Sequence, residues 1–455
     1  MRTCVRKGSG WLLALFLLDG GAFVVAQAPQ NADMSFLEND EVRVGVDLNR
    51  GGAIVYLSRD DGENLINNYD LGRQVQLSVF SGPIPFATKG QQPKEHWAHL
   101  GWNPIQAGDD FGNGSPVLDH QNDGSTLFVR TRPLQWPLDQ VPGDCLFEQK
   151  ISLDGAVVCV RARLINQRRD LTLYPARHQE LPALYGNAPY YRVVSYVGER
   201  PFSKEAPAEI PRKRHAPGEH PWSFWLGTEG WSALMNEANW GIGLVTPGRI
   251  AFTGGFAGTT GGVNDQHATH TGYLSGLGQD VLDANIIYDC AYELLPGTIE
   301  EIRERARRHH ARDLPSWEFA RSREGWFPRN SDDQGWPVQG ELALSLDQRD
   351  PQLISPYVFW RAEDAPVVEI ECAFSEAATS GLASLYWQRL GEKHPRAMDF
   401  VEFPTIRNGK FQRYAVRLAE AASYKGGMVR LRIDPGRGGE AEGEVRIRRV
   451  SLKGV

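Results

Sequence analysis

Apolar and polar residues alternate with period two in short runs along most of the chain. In 41–48, Val42, Val44, Val46 and Leu48 fall on one face, Gly51-Gly52 makes a turn, and 53–57 returns. The same alternation recurs over 126–131, 146–153, 156–164, 231–236, 241–246 and 284–294, punctuated by Asp-Gly, Asn-Gly, Gly-Gly and Pro-Gly pairs. It predicts many short antiparallel strands. Two irregular stretches, 82–124 and 198–222, are too long for plain connections and are expected to be functional loops. One helix is predicted: Thr298 and Glu301 form a capping box opening 299–312. Its basic end (Arg303, Arg305, Arg307, Arg308, Arg312) is expected to be solvated, beside the negative helix terminus. Residues 313–338, rich in Pro, Asn, Asp and Gly, read as a linker. Alternation resumes over 411–418, 428–433 and 444–452. The pattern therefore predicts an all-β protein: a large sandwich domain over 35–312, then a smaller jelly-roll sandwich over 339–455.

The first 28 residues break the pattern. Arg2, Arg6 and Lys7 precede the apolar run Trp11–Leu18, and small residues follow up to Ala26 and Ala28. This is the order of a secretory signal, with Gln27 the favoured new N-terminus, so the protein is expected to be secreted or periplasmic. The apolar run is too short to span a bilayer, and no later stretch predicts a membrane helix. The four charged residues of the segment (Arg2, Arg6, Lys7, Asp19) sum to +2, so the formal charge of −7 becomes about −9 without them. An acidic chain is a poor nucleic-acid binder. Cys145, Cys159, Cys290 and Cys372 remain. Cys145 and Cys159 flank a hairpin turning at Asp154-Gly155, which would pair Cys145 with a residue near 164, so all four are expected to be free and buried.

Several segments together carry a resemblance: Gly51-Gly52-Ala53-Ile54, Asn64-Leu65-Ile66-Asn67, Tyr69-Asp70-Leu71-Gly72-Arg73-Gln74-Val75-Gln76, Trp102-Asn103-Pro104, Gln179-Glu180-Leu181-Pro182-Ala183-Leu184-Tyr185 and Trp240-Gly241-Ile242-Gly243-Leu244. Their succession resembles exported bacterial proteins of the galactose mutarotase-like class, over roughly 35–310. The resemblance implies a β-supersandwich, a fold also found in polysaccharide lyases and in domains of glycoside hydrolases. The tail, with Phe400-Val401-Glu402-Phe403-Pro404 and Arg430-Leu431-Arg432-Ile433-Asp434-Pro435, resembles jelly-roll accessory domains of carbohydrate-active enzymes. A shared fold does not fix a reaction.

The candidate chemistry lies in three clusters. In Arg177-His178-Gln179-Glu180, a strand would put His178 and Glu180 on one face. The resemblance implies a Glu base with His help, which this pair matches by residue type. The second cluster, Glu95 to Asn103 with Asp109-Asp110, mixes Trp97, His99, Trp102 and Asn103 in a long loop, as a sugar subsite would. Its Asp109–Gly114 stretch lacks an EF-type ligand pattern because Phe111 stands at a ligand position. The third is Asp265 to Tyr273, whose His267 and His270 sit among glycines and so predict substrate contact rather than a metal. Asp119, Tyr191 and Trp225 are weaker candidates, as are His120, Glu219, His220, Tyr190 and Trp222. No P-loop, dinucleotide, nucleophile-elbow or zinc-protease motif is present, and no resident cofactor is expected, although a structural calcium ion is compatible with the sequence.

These features point to a carbohydrate-active enzyme acting on a poly- or oligosaccharide. Hydrolysis needs two carboxyl groups. Glu180 is the expected acid/base, with Asp109, Asp119 or Asp265 as its partner. His178 and His99 would tune the pair, and Trp97, Trp102 and Trp225 would stack on sugar rings. The first alternative is a lyase with His178 or Tyr191 as base or acid and Arg177 neutralising a uronate. The second is a glycan-binding protein without catalysis.

Overall fold

The computed structural model describes residues 33–213, 220–311, 313–378, 380–436 and 443–454. The expected signal segment, 1–28, and the weaker candidate Glu219 lie outside the described residues.

Two large antiparallel sheets form the first sandwich. The ten-stranded sheet runs, in spatial order, Met34–Glu38, Val42–Asp47, Ala53–Arg59, Val75–Ser78, Arg177–Gly186, Thr271–Asp280, Ala251–Ala257 and Ser223–Leu226, with two short strands joined at Val75–Ser78. The nine-stranded sheet is centred on Ile287–Thr298, Val157–Asn166 and Cys145–Asp154. Alternation explains the pairing: one set of apolar side chains from each sheet meets in a common core. Val44, Ile54, Leu184, Phe252 and Leu274 of the first sheet pack against Val129, Ile151, Val160, Leu234 and Leu294 of the second. Most predicted strands fall within two residues of their observed ends. The 145–166 hairpin pairs Cys145 with Asn166 and Cys159 with Ser152, and Cys145, Cys159, Cys290 and Cys372 are all free.

A second antiparallel sandwich, of a five- and a six-stranded sheet, is built from residues 316–453. Its core holds Trp317, Phe319, Trp326, Trp360 and Trp387. The stretch 313–338 is therefore not a linker. Its strands Ser316–Glu318 and Phe327–Arg329 join the two sheets, and three of its rings enter the core. Its turn residues obscured the strands, which are only three residues long.

The helix runs Ile299–Arg307 with the expected capping box. Its basic end is solvated as predicted at Arg307 and Arg308, but Arg303 and Arg305 turn inward, onto Glu229 at 2.6 Å and Glu293 at 2.7 Å, and Arg312 lies outside the described residues. Burial pushes the Glu293 carboxyl up, but the bonds from Arg305 and His309 outweigh it and hold it at about 2. A carboxyl depressed by folding contributes stability that is complete above its ordinary value of 4.5 and is lost as the pH falls toward 2. Glu293→Gln should thus lower the melting temperature at neutral pH and flatten its decline across that acid window. Thermal melts of both proteins from neutral pH downward measure this, and parallel acid limbs would refute it.

Candidate functional site

The outer face of the ten-stranded sheet carries a groove of about 520 Å³ lined by Phe80, Arg177, His178, Glu180, Phe224 and Gln279, among others. Its floor is set by cross-strand register. His178 pairs with Gln279, Glu180 with Leu277 and with Ser78, Ala183 with Ser275, and Tyr185 with Tyr273. Residues opposite one another share a face. Glu180 and Tyr185 are an odd number of positions apart and in a regular strand would face opposite ways. A bulge at Leu181-Pro182 shifts the register and brings both onto the groove face, while Leu184 stays in the core.

Glu180, half-buried, is the only carboxylate among the described lining residues. The Tyr273 hydroxyl donates to it, and Ser78 also hydrogen-bonds it. Burial pushes the Glu180 carboxyl above its ordinary value, against the pull of those two bonds. Burial and the Glu180 charge raise the Tyr273 phenol well above 10, so it stays protonated. Rings surround the pair: Tyr185 lies 4.8 Å and Trp222 4.7 Å from the Tyr273 ring, centroid to centroid. Farther along, the His178 ring lies 5.8 Å from Phe224. His178 is exposed as a residue, yet the groove wall desolvates its imidazole and, with the Arg430 charge, holds it down to about 4, neutral at pH 7.

Two loops flank the groove. Arg177 ties the 95–100 loop to it, donating to Leu100 O at 2.5 Å and His99 O at 3.3 Å. On the other side, Trp222 packs on Tyr273. The loops meet at His99 and His220, whose ring centroids are 6.3 Å apart. At the Tyr273 end, the 265–270 loop docks on Asn67 and Arg73 through Ala268 O and Thr269 O.

The other predicted residues divide by burial. Trp102 and Trp225 are no sugar platforms: they are 2% and 7% exposed and belong to the core, Trp225 stacked on Phe252. Asn103 is fully buried and bonds Val79 O. Asp109 is not a second catalytic carboxylate. It is 1% exposed and staples a turn, accepting from the N–H groups of Phe111, Asn113 and Gln140. Asp119 lies on Val117–Asn122, the outer strand of the nine-stranded sheet, away from Glu180. Tyr191, also outside the groove lining, donates to Glu237. Asp265 caps His267 N–H, and His270 accepts from Thr259 N–H. Trp97 is pinned to Asp110 at 3.0 Å. Among the described residues no group of three or more His, Cys, Asp or Glu gathers to hold a metal. The structure instead adds Tyr273, Tyr185, Phe224 and Gln279, and places the weaker candidate Trp222 against the Tyr273 ring. The first two stood inside segments singled out in the sequence, but only the bulge places Tyr185 beside Glu180.

No known protein-family model matches this chain, and no curated protein sequence matches it. Solved structures do resemble it. A candidate aldose 1-epimerase from Escherichia coli K12 has a TM-score of 0.38 at 15% identity, covering 58% of this chain and 98% of that one. A galactose mutarotase-like protein from Lactobacillus casei has 0.35 at 13%, covering 58% and 99%. An alpha-galactosidase from Lactobacillus brevis has 0.33 at 11%, covering 59% and 40%. Scores of this size leave the fold and the site to be read from the strands and side chains above.

Proposed function

We propose that this chain is an exported carbohydrate-active enzyme that cleaves glycosidic bonds in the groove, by acid–base chemistry centred on Glu180 and Tyr273. The carrying observation is Glu180, in a groove lined by the rings of Phe80 and Phe224, hydrogen-bonded to the hydroxyl of Tyr273, whose own ring is 2% exposed. Sugar faces stack on such rings, and the desolvated carboxyl is tuned upward, as a general base or acid requires. The N-terminal pattern of Arg2 to Ala28 supports export.

A hydrolase of the paired-carboxylate type needs a second acid within about 5–10 Å of the first. The acid whose charge reaches the neighbouring Tyr185 is Asp70, itself held by Arg73 at 3.3 Å. Elimination needs one base and one acid, which Glu180 and Tyr273 supply as they stand. We therefore place elimination ahead of hydrolysis. Incubating the purified protein with a broad polysaccharide panel, and reading reducing ends and ultraviolet absorbance together, separates the two. Both signals rising means elimination. Reducing ends alone mean hydrolysis, and Asp70→Asn should then be inactive. Silence on every glycan would count against cleavage.

Trp222 and Trp225 provide an internal control. Trp222→Ala should weaken saccharide binding about tenfold, the loss of one stacking contact, with little change in melting. Trp225→Ala should cost about 3–5 kcal/mol of stability, as a core cavity does. Titration and melts of both variants check this. Equal effects of the two on melting would remove Trp222 from the binding surface.

A further inference from the structure

The chain is acidic overall, yet the groove is not. Glu180 and the tyrosines beside it apart, the ionisable groups gathered at it are bases: Arg177 and His178 in the lining, His99 and His220 on the flanking loops, and Arg430 behind Gln279. Arg430 comes from the second sandwich, on Gly427–Asp434. It is 8% exposed, lies 3.5 Å over the Tyr357 ring, and donates to Gln279 Oε1 at 2.9 Å. Its Nε has no partner, and no carboxylate pairs with it or with Arg177 among the described residues.

An unpartnered Nε is shared with Arg59, Arg168, Arg249 and Arg389; the missing carboxylate is what sets Arg430 apart from Arg305 and Arg323. The buried Arg305 and Arg323 and the half-buried Arg303 all meet carboxylates. Arg168, also without one, places both Nη atoms on carbonyls. A desolvated guanidinium lacking a counter-charge is expensive to keep, and burial pulls Arg430 down to about 10. An anion entering the groove would supply the missing charge. Gln279 and the neutral His178 ring, opposite one another on adjacent strands, offer N–H donors at the groove surface just in front of Arg430.

We propose that the groove takes acidic saccharides of the uronate class, the sugar carboxylate seated at Gln279 and His178 under the charge of Arg430. The inference rests on the groove being the sugar site. It makes the second sandwich part of that site, since the acid–base pair comes from one sandwich and the counter-charge from the other.

The test is binding to the full-length protein by calorimetry. Homo-oligomers of galacturonate, glucuronate and mannuronate are each compared with their methyl esters, which keep the shape and remove the charge, and with cello-oligosaccharide. At least one acid oligomer should bind tenfold or more tightly than its ester, with affinity falling as salt rises. Arg430→Gln should erase that preference. Should Arg430→Gln not fold, Gln279→Met, at the groove surface, is read in its place. Esters or cello-oligosaccharide binding as tightly as the acids overturns the acidic class, and with it elimination, and leaves the sugar groove standing; a preference that survives the substitution overturns the seat under Arg430. Binding of none of the oligomers, acid or neutral, overturns both.

Discussion

Glu180→Gln should reduce turnover of a cleaved glycan by roughly 100- to 10,000-fold, the span over which a positioned general acid or base contributes. The substitution keeps the shape and the contact with Tyr273 while removing the ability to exchange a proton. Saccharide affinity and melting temperature should change little, because the carboxyl, already raised by burial, is costly to ionise there. Tyr273→Phe separates the two members of the pair. It removes the proposed acid, so the rate should fall, and with it the donor that pulls Glu180 down, so the acid limb of the remaining rate profile should move to higher pH. The sign follows from the observed shift: the base form exists only above its raised value, so activity rises with pH through a point above the ordinary 4.5 of a glutamate. A Glu180→Gln protein with more than a tenth of the wild-type rate would take Glu180 out of the chemistry, whatever happens to binding.

The fold was legible in the sequence where one face of a strand is buried, because period-two alternation is the direct image of that burial. Cys145–Asp154 and Val157–Asn166 are examples, and their turn at Asp154-Gly155 set the register to within two residues. Legibility failed at 313–338 because three-residue strands are too short to show a period. It failed again at the helix end, where five arginines look alike in sequence although Arg303 and Arg305 are drawn inward by Glu229 and Glu293. His178 and Glu180 could be grouped from the sequence because they lie two apart on one strand and so share a face of the groove. Tyr185 and Tyr273 were not assigned, since their position beside Glu180 depends on a bulge and on pairing with a strand some ninety residues later. The tryptophans misled for a related reason. Trp102 and Trp222 are indistinguishable as residues, and only packing buries the first in the core and leaves the second half-exposed against Tyr273. Arg430 could not have been inferred at all, because nothing along the chain ties the second sandwich to the back of Gln279.

Arg323→Met should destabilise the protein by about 3–5 kcal/mol, the usual consequence of removing one member of a buried ion network. Arg323 is 6% exposed and joins two carboxylates whose side chains are as little accessible, 8% for Asp283 and 4% for Asp333. It donates to Asp283, on the first sandwich, at 2.5 and 3.1 Å, and to Asp333, in the second, at 2.6 and 2.7 Å. Burial opposes its charge, but the four bonds outweigh burial and keep the guanidinium charged. Without it, two buried carboxylates would face each other unpaired across the junction of the sandwiches. The cost therefore lies in what is left behind. Adding Asp283→Asn and Asp333→Asn to Arg323→Met should recover much of the lost stability, which a simple loss of packing would not allow. The same junction holds Arg430 behind the groove, so the single variant should also lose affinity for an acidic oligomer under conditions where it remains folded. Chemical denaturation of the single and triple variants gives the first comparison, and titration below the melting point gives the second. A loss under 1 kcal/mol, or no recovery in the triple variant, would mean that this network does not hold the two sandwiches together.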